Sequence, residues 1–148
     1  MPSQEAAASI FIAFTTLTEV LGQYLEYIYH VSSPVRKTIT SLSHLLTNWE
    51  DSLDINIRHI ILRGTDLSTP GAANLRLAYL SVKLLLRRIA LDMDDEHTET
   101  SNFDNGNDSN CPSFSFTQVE RVAEEIVHLV RELDEPLLRG FWVPVQAY

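Results

Sequence analysis

Residues 33–53 read SPVRKTITSLSHLLTNWEDSL, and within them Val35, Ile39, Leu42, Leu46, Trp49 and Leu53 recur at alternating spacings of four and three. That repeat places six large apolar side chains along one face of a helix, the pattern of a bundle seam. Each of them contributes about 1.5–3 kcal/mol once buried. Ser33 followed by Pro34 supplies a cap and then a proline in the first turn, where its missing N–H is no loss, so a helix is predicted to open there.

The same periodicity extends upstream. Phe14, Leu17, Leu21, Tyr24 and Ile28 alternate at three and four within Ile10 to Tyr29, with Phe11, Leu25 and Tyr29 widening the stripe. Gly22 is a weak point in that helix, and its missing side chain lets a neighbouring helix come close. Downstream, Ile55, Ile57, Ile60, Ile61 and Leu62 break the pattern, and Gly64, Pro70 and Gly71 punctuate it. Asp54 to Gly71 therefore reads as an extended connection with one turn of helix; a β-strand is the alternative, but it has no obvious partner strand, and a lone strand leaves its ladder unpaired.

A third helix is predicted from Ala72 to Leu91. Leu75, Ala78, Val82, Leu85 and Ile89 form one face and Leu77, Leu80, Leu84 and Leu91 another, so it should be central. Its charged residues, Arg76, Lys83, Arg87 and Arg88, are all cationic, and the last two sit where the helix dipole favours positive charge. Residues 92–113 are poor in apolar side chains and are expected to form a flexible acidic loop. Thr117 and Glu120 have capping-box spacing, and Val119, Val122, Ile126, Leu129 and Leu133 give the stripe of a fourth helix that Pro136 stops. The fold class that follows is all-α, a bundle of four main helices with a long acidic loop. Leu137, Leu138, Phe141, Trp142, Val143, Val145 and Tyr148 then form an apolar cluster, so residues 1–148 are expected to be one fragment of a larger helical domain.

Charge bounds the function. The formal net charge is −9, and seven carboxylates lie in the acidic loop, so the remaining 13 acidic residues face 11 basic ones. A near-neutral remainder does not grip nucleic acid, which needs a concentrated basic surface. No stretch is read as approaching the roughly 18 uncharged apolar residues of a membrane span, and the chain is expected to be intracellular, with no membrane partner. Cys111 is the only cysteine, which excludes an internal disulfide or a cysteine-based zinc site.

Catalytic patterns find no anchor, so no enzyme activity and no catalytic residue are expected. Asp104 to Asp108 has calcium-loop composition without the order of an EF-hand or its twelfth-position Glu, and Asp92, Asp94, Asp95, Glu96 and His97 read as a solvated acidic run rather than a metal site. His30, His44, His59, His97 and His128 share no helix-face pairing. No nucleophile elbow and no phosphate-cradling glycine loop is present. Trp49, Tyr79 and Trp142 read mainly as core, with a ligand pocket between helices as the alternative.

The order of these pieces resembles a known family. Leu42 to Trp49 on one helix, then Leu75 to Arg88 (LRLAYLSVKLLLRR), an acidic insert, Val119 to Ile126 (VERVAEEI) and finally Phe141-Trp142-Val143-Pro144 is similar to the regulatory middle region of fungal zinc-cluster transcription factors, most like the cutinase and fatty-acid-responsive activators. Ile89 stands where the family usually has proline, and Val119 stands where it has cysteine. The resemblance implies an all-α regulatory region of a nuclear RNA polymerase II factor, lying between a zinc-cluster DNA-binding domain and an activation segment. No cofactor is then expected in this chain, since zinc belongs to the missing DNA-binding domain and DNA is contacted only through it. The implied partners are the remainder of its own transcription factor, a second copy or a co-regulator. The interaction residues on this reading are Trp49, Tyr79, Phe141 and Trp142 for packing, with Arg87 and Arg88 as charged contacts. A helical scaffold or adaptor, or a domain binding a small effector, is the alternative.

Overall fold

A computed structural model describes residues 2–29, 38–99 and 114–134, with side chains at 4–29, 38–92 and 116–134. These residues form five helices and no strand: α1 (Pro2–Tyr29), α2 (Ile39–Ser52), α3 (Ile55–Arg63), α4 (Ala72–Glu99) and α5 (Phe114–Glu132). The all-α expectation holds.

The α2 seam folds as its spacing requires, with Leu42, Leu46 and Trp49 buried. Its start differs. Thr38, in extended conformation, accepts the Ser41 N–H on its side chain and caps the helix, while Ser33 and Pro34 lie outside the described residues. α1 begins earlier than Ile10 because Gln4 to Ser9 contains no helix breaker.

The connection after Asp54 is a correction. It holds a nine-residue helix, α3, whose Ile57, Ile60 and Ile61 form one buried face at spacings of three and four. Asp54 Oδ1 accepts the Asn56 N–H at 2.9 Å, and Gly64, at φ 70°, closes the other end by donating its N–H to the Ile60 carbonyl. Arg76 Nη1 reaches back from α4 and donates to the carbonyls of Ile60 (3.3 Å) and Ile61 (2.8 Å). Two caps and a guanidinium on the last carbonyls outweigh the modest helix propensity of isoleucine.

Two further boundaries are corrected. α4 does not stop at Leu91 but runs to Glu99, so residues 92–99 of the expected loop are helical, and 100–113 lie outside the described residues. Like charge alone does not end a helix that meets no glycine or proline. α5 opens at Phe114, which leaves Thr117 inside the helix rather than at its cap.

α4 touches each of the other four helices, as its double apolar face requires, and the substantial contacts of α5 are all with α4. Tyr24 Oη donates to the Leu42 carbonyl at 2.8 Å and Trp49 Nε1 to Thr16 Oγ1 at 2.9 Å, so α1 and α2 run antiparallel. Leu129 and Glu132 share a cavity of about 490 Å³ with Arg63, Gly64, Leu67 and Arg76, which sets α5 antiparallel to α4. Ile10, Leu17, Tyr24, Leu42, Ile61, Leu75, Tyr79 and Leu80 are the largest fully enclosed side chains of the common core.

α1 departs from the expectation on apolar length alone. Gln4–Tyr29 is long and apolar enough to cross a membrane by length and composition, with a mean hydropathy of 1.3. Glu5, Glu19 and Glu26 keep it from being an uncharged run, yet they do not pull its mean hydropathy below that of a spanning helix. One face of the helix, through Ile10, Ala13, Leu17, Val20 and Tyr24, is nonetheless built into the core.

Candidate functional site

α2 and α4 cross where Trp49 and Tyr79 meet. The two rings stack with centroids 6.0 Å apart and an interplanar angle of 22°. Both are buried, and each sends its polar atom to a different helix or side chain. The Trp49 indole N–H donates to Thr16 Oγ1, and that hydroxyl donates in turn to the carbonyls of Ile12 and Ala13, both at 3.1 Å. The Tyr79 hydroxyl donates to Glu50 Oε1 at 2.8 Å. One turn along α4, Lys83 Nζ stands 5.7 Å from the centre of the Tyr79 ring, within cation–π range.

The electrostatics follow from burial. Loss of solvent raises the Tyr79 hydroxyl well above its ordinary range, and the Glu50 charge and hydrogen bond raise it further. Tyr24 is raised for the same first reason, with Glu50 adding to the shift and Arg87 opposing it. Both phenols therefore stay protonated at neutral pH and act as hydrogen-bond donors, not as bases or nucleophiles. Over this junction lies a cavity of about 320 Å³, where Glu50, Tyr79, Lys83 and Arg87 stand beside Leu46, Leu62 and Leu86. Its chemistry suits orientation of a polar group or a partner side chain.

Of the residues expected to carry interactions, Trp49, Tyr79 and Arg87 come together here. Arg88, one residue on, is exposed. The cationic pair read from the sequence is thus divided, because neighbouring residues on a helix point about 100° apart. Phe141 and Trp142 lie outside the described residues. Glu50, Thr16, Lys83 and Tyr24 went unremarked as site residues in the sequence, although the Tyr79-to-Lys83 spacing of four was a signal for one of them.

Among the described residues no three His, Cys, Asp or Glu side chains gather as metal ligands. Asp104 to Asp108 and Cys111 lie outside those residues. His44 is exposed, His59 is half-buried, and His128 sits 3.4 Å from Glu132 on the outside of α5. No known protein family, curated protein or solved structure matches the chain.

Proposed function

We propose that this chain is a non-enzymatic regulatory part of a nuclear transcription factor of the fungal zinc-cluster kind. It acts by packing its helices against the rest of its own protein or a partner, and it leaves DNA contact to a separate zinc cluster. The observation that carries the helix-packing half of this reading is the pair of exposed valines on α5. Among the described residues the substantial contacts of that helix are with α4, while Val127 and Val130 are exposed on it. Apolar faces of this kind mark interaction surfaces. The transcription half rests on the order of the motifs around Trp49, Tyr79 and Phe141-Trp142.

The test is a reporter assay in the full-length protein with Val127→Glu and Val130→Glu, at matched abundance. Both sites are exposed, so the fold should tolerate the change. A shift in basal or induced transcription is expected, and unchanged output refutes the regulatory role.

A second reading, a small-effector domain, is favoured by the cavity over Tyr79, where Lys83 and Arg87 give one wall positive charge. An effector bound there would raise the melting temperature by linkage.

A further inference from the structure

α1 carries two apolar seams. Ile10, Ala13, Leu17, Val20 and Tyr24 face the bundle and are buried. On the opposite side Ala8, Phe11, Thr15, Thr18, Gly22, Leu25 and Tyr29 also alternate at three and four, and every one of them is exposed. Phe11 is 62% exposed, Leu25 39% and Tyr29 76%, so large side chains stand at both ends of a middle section made of small ones. A helix with two such seams is built to be covered on both sides.

The outer seam is ready to be desolvated. Thr15 Oγ1 donates to the Phe11 carbonyl at 2.9 Å and Thr18 Oγ1 to the Thr15 carbonyl at 2.6 Å, so each hydroxyl hydrogen is already spent within the helix. Covering these residues strands no donor. At Gly22 a Cβ would meet nothing within 4 Å, which leaves room for a close backbone approach.

Charge identifies what covers it. Glu5, Ile12, Glu19 and Glu26 repeat every seven residues along one edge of the seam, and α1 has no Lys or Arg. Edge positions of this kind select partners by charge. A second copy packed antiparallel would set carboxylates against carboxylates. Packed parallel, it would set them beside Ala7, Phe14, Leu21 and Ile28. Neither arrangement supplies a cation. A bilayer would have to accept an all-acidic helix whose other face is locked in the core by the Tyr24 and Trp49 hydrogen bonds.

We infer that the outer face of α1 is a docking surface for one partner helix with an apolar seam and a Lys- or Arg-bearing edge that meets Glu5 and Glu19. This deepens the helix-packing part of the proposed function and does not depend on a role in transcription.

The purified chain tests it. Two synthetic helices of α1's length, sharing one Leu/Ala seam and carrying either Lys or Glu along the edge, are titrated in a fluorescence anisotropy assay. The Lys peptide should bind and the Glu peptide should not. Leu25→Glu or Thr18→Glu should weaken the Lys peptide at least ~10-fold with the melting temperature kept, a loss of about 1.4 kcal/mol. Val127→Glu on α5 should leave it unchanged. Glu5→Lys with Glu19→Lys should transfer preference to the Glu peptide.

Equal binding of the two peptides, binding of neither, or indifference to the seam substitutions overturns the inference. So does self-association of the chain in sedimentation velocity, which makes the occupant a second copy, or flotation with phosphatidylcholine vesicles, which makes it a bilayer. Because peptide binding is read on the purified chain and the reporter in the cell, either reading can fail alone.

Discussion

Replacing Tyr79 by phenylalanine isolates one bond at the centre of the molecule. The ring stays, and with it the stack on Trp49 and the Lys83 contact; only the hydroxyl that donates to Glu50 Oε1 at 2.8 Å is lost. Hydrogen bonds to charged groups contribute about 1.5–3 kcal/mol, and removal of one partner leaves the other to be rehydrated or stranded. Glu50 is half-buried and borders the cavity, so water can replace part of the loss. The expected destabilisation is therefore about 1–2 kcal/mol, against about 3–5 kcal/mol for truncating the aromatic ring to alanine. In a chain of this size that lowers the melting temperature by about 2–8 °C. Circular dichroism melts of the wild type, Tyr79→Phe and Tyr79→Ala measure it. Repeating Tyr79→Phe in a Glu50→Ala background should shrink the effect below about 0.5 kcal/mol. A Tyr79→Phe protein that melts with the wild type, or one that falls as far as Tyr79→Ala, refutes the account of the bond.

Stability should also respond to alkaline pH. Tyr24 and Tyr79 both have folded-state values raised above the ordinary 10.0, so an unfolded chain loses these two protons first. Their stabilisation is complete below about pH 10 and is lost as pH rises beyond it, because there the folded state binds more protons than the unfolded one. Denaturant midpoints taken on both sides of pH 10 should show the fall, and Tyr24→Phe should reduce it. At the end of α3, Gly64→Ala forces φ 70° on an alanine and brings its Cβ to 3.0 Å from the Arg76 Cζ and Nε. A loss of about 1–3 kcal/mol in chemical denaturation is expected, because two effects of ordinary size add.

The parts of this fold that could be read from the sequence are those that periodicity decides. The α2 seam and one face of α4 are buried where their spacing puts them, but on α1 only Leu17 and Tyr24 of the expected stripe are buried, Phe14 and Leu21 are half-buried, and Phe11, Leu25, Ile28 and Tyr29 are exposed, while on the second face of α4 only Leu80 is buried. α3 is hidden because its isoleucines do not continue the α2 repeat and Gly64, Pro70 and Gly71 follow closely, although the spacing at 57, 60 and 61 describes a helix face. Beside its local caps, Asp54 and Gly64, α3 is held from elsewhere in the chain by Arg76, fifteen residues beyond Ile61. The length of α4 is hidden for a related reason: its acidic end has the composition of a loop, but no glycine or proline interrupts the backbone before Glu99.

At the site, Trp49, Tyr79 and Arg87 were legible because aromatic and cationic residues stand out on an apolar helix. Glu50 and Thr16 were not legible as their partners. Their role comes from helix crossing, which brings residues 29 and 33 positions apart into contact and leaves no local mark in the sequence.

The guanidinium of Arg76 has one more implication. By holding the final turn of α3 from the opening of α4, it makes the two helices a single cooperative unit, so amide protection at Ile60 and Ile61 should be lost together with that of Leu80 rather than fray ahead of it. The same side chain lines the cavity shared with Leu129 and Glu132, which means that an anion competing for it there would relax the shortest helix first, at a distance from the Trp49 stack.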